Sequence, residues 1–240
     1  CESCREWQRP APDAQVTTSV SEAFNEQVEL DLVFYEGHTI LHLVDRCTRW
    51  HAAVEVKRKE TKHLLKAIDS SWVGIHGPPK EIIMDQETGI CKSFQSADYF
   101  SRKGIKLMPR AVGQHARYAE RRGELLKDTL RKMDSQLKTE NLDIPFQYCL
   151  SDAVFAGNAL LTINNTTPYN AVYGRVPHLL PDMNSYRGNK DNPDNKPENM
   201  LPGLIQNSAR LREIAIQAIV ERSAQTRANN ALKAKTQAPC

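Results

Sequence analysis

Ile82-Ile83-Met84-Asp85 is a short apolar run that ends on a carboxylate. Thirty-five positions beyond Asp85, a second acid stands in Gly113-Gln114-His115-Ala116-Arg117-Tyr118-Ala119-Glu120-Arg121-Arg122, where an irregular loop gives way to a basic helix. A third, Asp31, lies inside Val28-Glu29-Leu30-Asp31-Leu32-Val33-Phe34-Tyr35. With 29 acids in 240 residues the spacing means little by itself; the context carries the argument. A carboxylate buried in a strand costs on the order of several kcal/mol unless it is neutralised or binds a cation. Asp31 mid-strand, Asp85 at a strand end and Glu120 at a helix start therefore point to a divalent-metal site.

Working outward, Val28 to Tyr35, Thr39 to Asp45 and Trp50 to Val56 alternate or run apolar, as short strands joined by tight turns do. They predict an antiparallel meander. Glu60 to Ile75 places Leu64, Leu65, Ile68, Trp72 and Val73 at helical spacing, and Gly77-Pro78-Pro79 ends it. Glu81 to Met84 is a buried-strand candidate, Phe94 to Arg102 a helix stopped at Gly104, and Ile105 to Met108 a fifth strand. A long helix runs from near Ala116 toward Lys138, and Pro145 to Asn165 reads as another. The order β-β-β-α-β-α-β-α-α predicts an α/β fold, a mixed five-stranded sheet flanked by helices in the ribonuclease-H-like arrangement, with a C-terminal helical extension.

At about 100° per residue, Glu120, Glu124, Lys127 and Arg131 share one stripe of the long helix, and Leu126, Leu130, Met133 and Leu137 form another that should pack on the sheet. Glu124 is a rival for the third acid, one turn deeper. Lys127 and Arg131 are either solvated i, i+4 partners or phosphate contacts. Arg110, Arg117, Arg121, Arg122 and Lys132 add positive charge around the same loop and helix, which favours a role near phosphates. His115 either contacts a phosphate or attacking water, or caps the following helix. Asp45 beside Arg46 reads as structural, and Trp50 and Trp72 as core.

The formal charge of +3 is too small to imply nucleic acid by itself. No run of about 18 apolar residues is present to span a bilayer, and there is no secretory pattern at the N-terminus, so a soluble intracellular protein is expected. Six scattered cysteines predict reduced thiols. Cys1-Glu2-Ser3-Cys4 has zinc-chelate spacing, but no His-x3–5-His pair stands nearby: it is either two thiols at a fragment's end or half of a zinc site. Residues 1–16 read as the tail of such a module with a proline-rich linker, 17–180 as the main domain, 181–202 as a polar linker and 203–240 as a basic amphipathic helix. Arg210, Arg212, Arg222, Arg227, Lys233 and Lys235 against Glu213 and Glu221 leave that helix open to a partner surface or a nucleic acid.

From Val28 to about Pro177 the chain resembles the catalytic core of a retroviral or retrotransposon integrase, with its Asp, Asp-35-Glu signature. Leu30-Asp31-Leu32 with Val44-Asp45-Arg46-Cys47-Thr48-Arg49-Trp50 is similar to the family's first hairpin. Ile83-Met84-Asp85 is similar to the second acid's segment, and His115 to Lys127 to that of the third. Thr167-Pro168-Tyr169-Asn170-Ala171-Val172-Tyr173-Gly174-Arg175-Val176-Pro177 resembles the segment that closes integrase cores of polyprotein retroelements. One departure is Asp85-Gln86-Glu87-Thr88-Gly89, which delays the family's usual glycine and adds a carboxylate that would disturb or supplement the site.

The resemblance implies a metal-dependent polynucleotidyl transferase that processes element DNA 3′ ends and joins them to target DNA. Asp31, Asp85 and Glu120 would be its catalytic residues and Mg²⁺ ligands, holding two ions about 3.5–4 Å apart, with Mn²⁺ able to substitute. Arg110, His115, Arg117, Arg121, Lys127 and Arg131 would contact DNA. Cys1 and Cys4 would belong to a zinc module whose histidines lie upstream, so Zn²⁺ is expected only in the full-length protein. DNA partners, a homo-oligomer and a nuclear site of action are likewise implied. The alternative, from another class, is a non-catalytic DNA-binding or assembly module, either domesticated or fragmentary.

Overall fold

A computed structural model describes residues 21–85, 90, 93–110, 117–163, 165–180 and 202–233. Strands β1 (Gln27–Tyr35), β2 (His38–Asp45) and β3 (His51–Glu55) form the expected antiparallel meander. β4 (Glu81–Asp85) and β5 (Lys106–Arg110) add to the other side of β1 in parallel, giving one mixed sheet of order β3-β2-β1-β4-β5. The helices are α1 (Thr61–Ile68), α2 (Phe94–Arg102), α3 (Arg117–Thr139), α4 (Phe146–Leu160), α5 (Pro168–Tyr173) and α6 (Pro202–Lys233).

The pleat of β1 divides its side chains between two cores. Val28, Leu30 and Leu32 face a cluster with Leu41, Leu43, Leu64, Ile68, Trp72 and Phe100, covered by α1 and α2. Val33 and Tyr35 face the other way, onto Leu126, Leu130, Met133 and Leu137 of α3. Alternation puts Glu29 and Asp31 on this second face, beside α3. The continuous helix expected over Glu60 to Ile75 is interrupted: α1 widens into a π turn at Asp69–Val73 before a last turn at Gly74–His76.

Two features depart from the sequence pattern. The segment after α4 contains α5, with Thr167 capping the Asn170 amide at 3.2 Å, Pro168 in the first turn and Gly174 left-handed at φ +66°. Tyr169 and Tyr173 of α5 pack on Trp50 at ring-centroid distances of 5.9 and 5.3 Å. This ties the loop before β3 to the segment closing the domain. The apolar stripe of α6 finds its docking surface on the chain itself: Leu211, Ile214, Ala215 and Ile219 are buried with the α3 and α4 residues. Its arginines pair inward as well, Arg210 with Glu140, Arg212 with Asp152 and Arg222 with Asp128. Asp45 is structural as expected: buried, it accepts from the Asn25 amide at 2.9 Å and from the Thr48 hydroxyl at 2.9 Å, closing the turn after β2.

The expectation that Arg122 adds surface charge near phosphates is overturned. Arg122 is buried, four residues before Leu126 on the inward stripe, and donates to the Gly157 carbonyl at 2.9 Å and to Asn158 Oδ1 at 3.3 Å. Asn158 in turn accepts from the His51 amide at 3.0 Å and donates to its carbonyl at 2.8 Å. His51 Nδ1 meets His42 Nε2 at 2.9 Å. One polar hub thus joins β2, β3, α3 and α4. Glycine sits where these layers touch: a Cβ at Gly157 would lie 2.9 Å from His51 Nε2, closer than packing allows without a shift, and one at Gly123 would crowd Val33 Cγ2 at 3.1 Å.

Gly157→Ala therefore sets a helix-propensity gain of ~1 kcal/mol against overpacking of ~1–3 kcal/mol. His42 holds the His51 ring at Nδ1 and Asn158 holds its backbone, so the buried ring has little room to yield and net destabilisation is expected in urea unfolding; a more stable variant would show that the contact is slack.

Burial, with the Arg122 charge adding to it, pushes His42 down to about 3 and His51 well below the ordinary imidazole range. Below about pH 6.5 the unfolded chain takes up protons that these rings refuse in the fold. Stability should then fall as pH drops from 7 to 5.5, by ~1.4 kcal/mol per pH unit for each ring once below that value. Unfolding curves of the wild type and His42→Asn, each followed across this range, check it; the variant should lose about half of the slope.

Candidate metal-binding and nucleic-acid site

Leu30 and Met84 are paired neighbours on β1 and β4, and Asp31 and Asp85 are the next residues along each strand. Parallel pairing therefore sets the two aspartates side by side at the C-terminal edge of the sheet. Asp85 is also level with Arg110 at the end of β5. Glu120 is exposed in the first turn of α3. Because α3 lies across β1 and β2 through Gly123, that turn stands over the same edge.

The electrostatics show the three acids to be neighbours. Asp31, half-buried, accepts a hydrogen bond from the Leu32 amide at 2.8 Å. Its carboxyl is held above the usual range, first by burial and then by repulsion from Asp85 and Glu120, while Lys127 opposes. A group whose neighbours disfavour its charge is expensive to keep unless function needs it. Among the described residues no three acid, histidine or cysteine side chains form a ready-made coordination cluster. The carboxylates thus face one another without closing a cage. An oxygen-only donor set with mutual repulsion still fits a hard divalent cation, whose charge would remove that repulsion.

At this edge Arg117 and Arg121 are exposed on the first turns of α3, and Arg131 is exposed about three turns along the helix, near Tyr35. Lys127 pairs with Glu124 one turn away, leaving Glu124 engaged on the stripe beyond Glu120. Arg110 turns inward and pairs with Glu29. Lys132 reaches the Ala218 carbonyl of α6 at 3.4 Å. His115, Glu87, Cys1 and Cys4 lie outside the described residues.

Sequence reasoning passed over Glu29. It is fully buried, and its Oε2 accepts from the backbone amides of Tyr118 at 3.1 Å and Ala119 at 2.9 Å. Its other oxygen takes Arg110 and lies 3.5 Å from Arg46 Nε. The available signal was a second acid two positions from Asp31, hence on the same face of β1.

Asp31→Asn should stabilise the metal-free protein at neutral pH. A carboxyl raised in the fold costs stability once pH exceeds its unfolded value, and the cost vanishes below about pH 3.9, where both states are protonated. Melting curves at pH 7 and pH 3 check this: a gain is expected at pH 7 only. Added Mg²⁺ should raise the melting temperature of the wild type and leave Asp31→Asn unmoved.

No protein-family model and no curated protein matches the sequence. Solved structures do match. The catalytic core domain of HTLV-2 integrase, in complex with magnesium and in a dimeric form, superposes with a TM-score of 0.52 at 15% identity, covering 62% of this chain and 96% of that one. The core domain of BIV integrase gives 0.52 at 15% identity over 62% and 95%. A chain of the simian T-cell lymphotropic virus intasome, solved in complex with the PP2A regulatory subunit B56 gamma, gives 0.57 at 19% identity over 75% of this chain and 65% of that one. No described helix is long and apolar enough to cross a membrane. The chain therefore has the fold of retroviral integrase catalytic cores.

Proposed function

We propose that the protein is an integrase-type polynucleotidyl transferase that processes the 3′ ends of retroelement DNA and joins them to a target duplex. The observation that carries this reading is the electrostatic meeting of Asp31, Asp85 and Glu120 at one sheet edge, on a fold shared with integrase cores. Asp31, Asp85 and Glu120 would hold Mg²⁺, or Mn²⁺ in its place, since hard oxygen donors suit both. Such ions supply activation of an oxygen nucleophile and stabilisation of the leaving oxygen in displacement at phosphorus.

The chain's own residues divide the remaining work. Asp31 and Asp85, fixed by strand pairing, form the rigid side of the site, and Glu120 approaches from the helix. Arg117, Arg121 and Arg131 present positive charge on the exposed side of α3, where a phosphodiester backbone would lie, with Lys127 beside them. In end processing, water forms the new bond to phosphorus and a 3′-oxygen leaves; in joining, the freed 3′-hydroxyl attacks and a target-strand 3′-oxygen leaves. HTLV-2 integrase core is solved in dimeric and trimeric forms; a homo-oligomer acting on DNA in the nucleus is part of the proposal here.

A labelled duplex incubated with the protein in Mg²⁺ or Mn²⁺ tests it. The wild type should nick or join the DNA, and Glu120→Gln should reduce the rate by ~10²-fold or more, the scale expected when one group stabilising transition-state charge is lost. Equal inactivity of both, with DNA still bound, would favour a non-catalytic binding module. Replacing Arg121 and Arg131 by Ala should weaken DNA binding and reduce the slope of log affinity against log salt by about one for each phosphate interaction removed.

A further inference from the structure

We propose that Glu29 is the positioning residue of the three-acid site: its carboxylate grips the first turn of α3 and so sets Glu120 against Asp31. The inference rests on the reading of Asp31, Asp85 and Glu120 as metal ligands.

Most helices are capped by a residue just before their start, which satisfies the first amides but leaves the helix unattached to anything else. Here the amides of Tyr118 and Ala119 are taken by a side chain about ninety residues away, on β1. That strand also carries Asp31, two residues on and on the same face. A carboxylate at the helix N-terminus is favoured by the exposed amides and the helix dipole together. The bonds join the two residues before Glu120 to the strand that carries Asp31.

The second oxygen extends the grip. Arg110, which ends β5 level with Asp85, donates to Oε1, and Arg46 approaches it from the turn after β2. Glu29 therefore touches both ends of the connection between β5 and α3, residues 110 and 118–119. It also links the strands on either side of Asp85 and the helix of Glu120. A fully buried carboxylate costs several kcal/mol of desolvation; two guanidinium groups and two amides offset it. An apolar residue would have filled the same space on a strand, so the cost calls for a use that packing does not supply.

Glu29→Gln retains size and shape while halving the acceptors and turning an amide N–H₂ toward donors. Three readouts on the full chain separate positioning from mere stability. Hydrogen exchange at the Tyr118 and Ala119 amides should accelerate ~10-fold or more while the rest of α3 keeps its protection. Mn²⁺ affinity, measured by water relaxation without DNA, should fall ~10-fold or more, the scale seen when groups that orient metal ligands are removed. Leu130→Ala, which loosens the middle of α3, should lower the melting temperature and leave Mn²⁺ affinity nearly unchanged.

Unchanged Mn²⁺ affinity in Glu29→Gln would overturn the proposal. So would exchange that accelerates evenly along α3 with affinity falling equally in Leu130→Ala, since Glu29 would then act through stability alone. If wild type and Asp31→Asn bind Mn²⁺ identically, the three-acid reading itself fails and the positioning role falls with it.

Discussion

The close seating of α3 on β1 and β2 is the contact on which the rest depends. Gly123 allows it: without a Cβ, the helix backbone settles within van der Waals reach of Val33, and Leu126, Leu130, Met133 and Leu137 follow into the core. That seating runs the full strand, from Glu29 at the first turn of α3 to Tyr35, whose hydroxyl donates to Asp134. A helix held at both ends against one strand has little freedom to rotate. Glu120 therefore presents one face to Asp31 and Asp85, and its neighbours Arg117 and Arg121 are aimed outward by the same constraint.

Stability and site pull in opposite directions at this edge. The apolar half of the structure gains from every buried methylene, on the order of 0.8 kcal/mol each, whereas Asp31, Asp85 and Glu120 repel one another. The fold tolerates this because the neighbouring charged carboxylate is satisfied locally, Glu29 by amides and arginines, while Asn158 ties the His51 backbone to one nitrogen of Arg122. The histidine pair needs one ring to accept from the other, so it cannot survive with both rings protonated. The depressed titration of both rings and the raised titration of Asp31 thus have one origin, a polar layer enclosed between a sheet and a helix.

Most of the architecture was legible because period-two and helical patterns are strong in this chain, and Gly77-Pro78-Pro79, Gly104 and Gly174 punctuate it. What the sequence hid was direction. Arg122 stands between basic neighbours and reads as surface, yet its place four residues before Leu126 puts it on the buried stripe. Glu29 was overshadowed by Asp31, although the pleat gives both the same face. The short helix α5 carries a cap, a proline and a terminal glycine in the expected order, but six residues are too few for periodicity to declare. The continuous helix expected over Glu60 to Ile75 missed the π turn because a one-residue widening leaves the apolar spacing almost intact.

The charge distribution follows from the same distinction between inward and outward arginines. Arg46, Arg110 and Arg122 are engaged inside the domain, and Arg210, Arg212 and Arg222 seat α6 on α3 and α4 through Glu140, Asp152 and Asp128. Counting basic residues along the chain therefore overstates what a polyanion would meet. With a net charge of only +3, long-range attraction is weak, and a phosphate backbone would be drawn to the local excess on the outer stripe of α3. That stripe begins at the carboxylate cluster. A duplex held by Arg117, Arg121 and Arg131 would place its scissile phosphates over the acids only if a cation first offset their repulsion, so metal and DNA binding should reinforce each other.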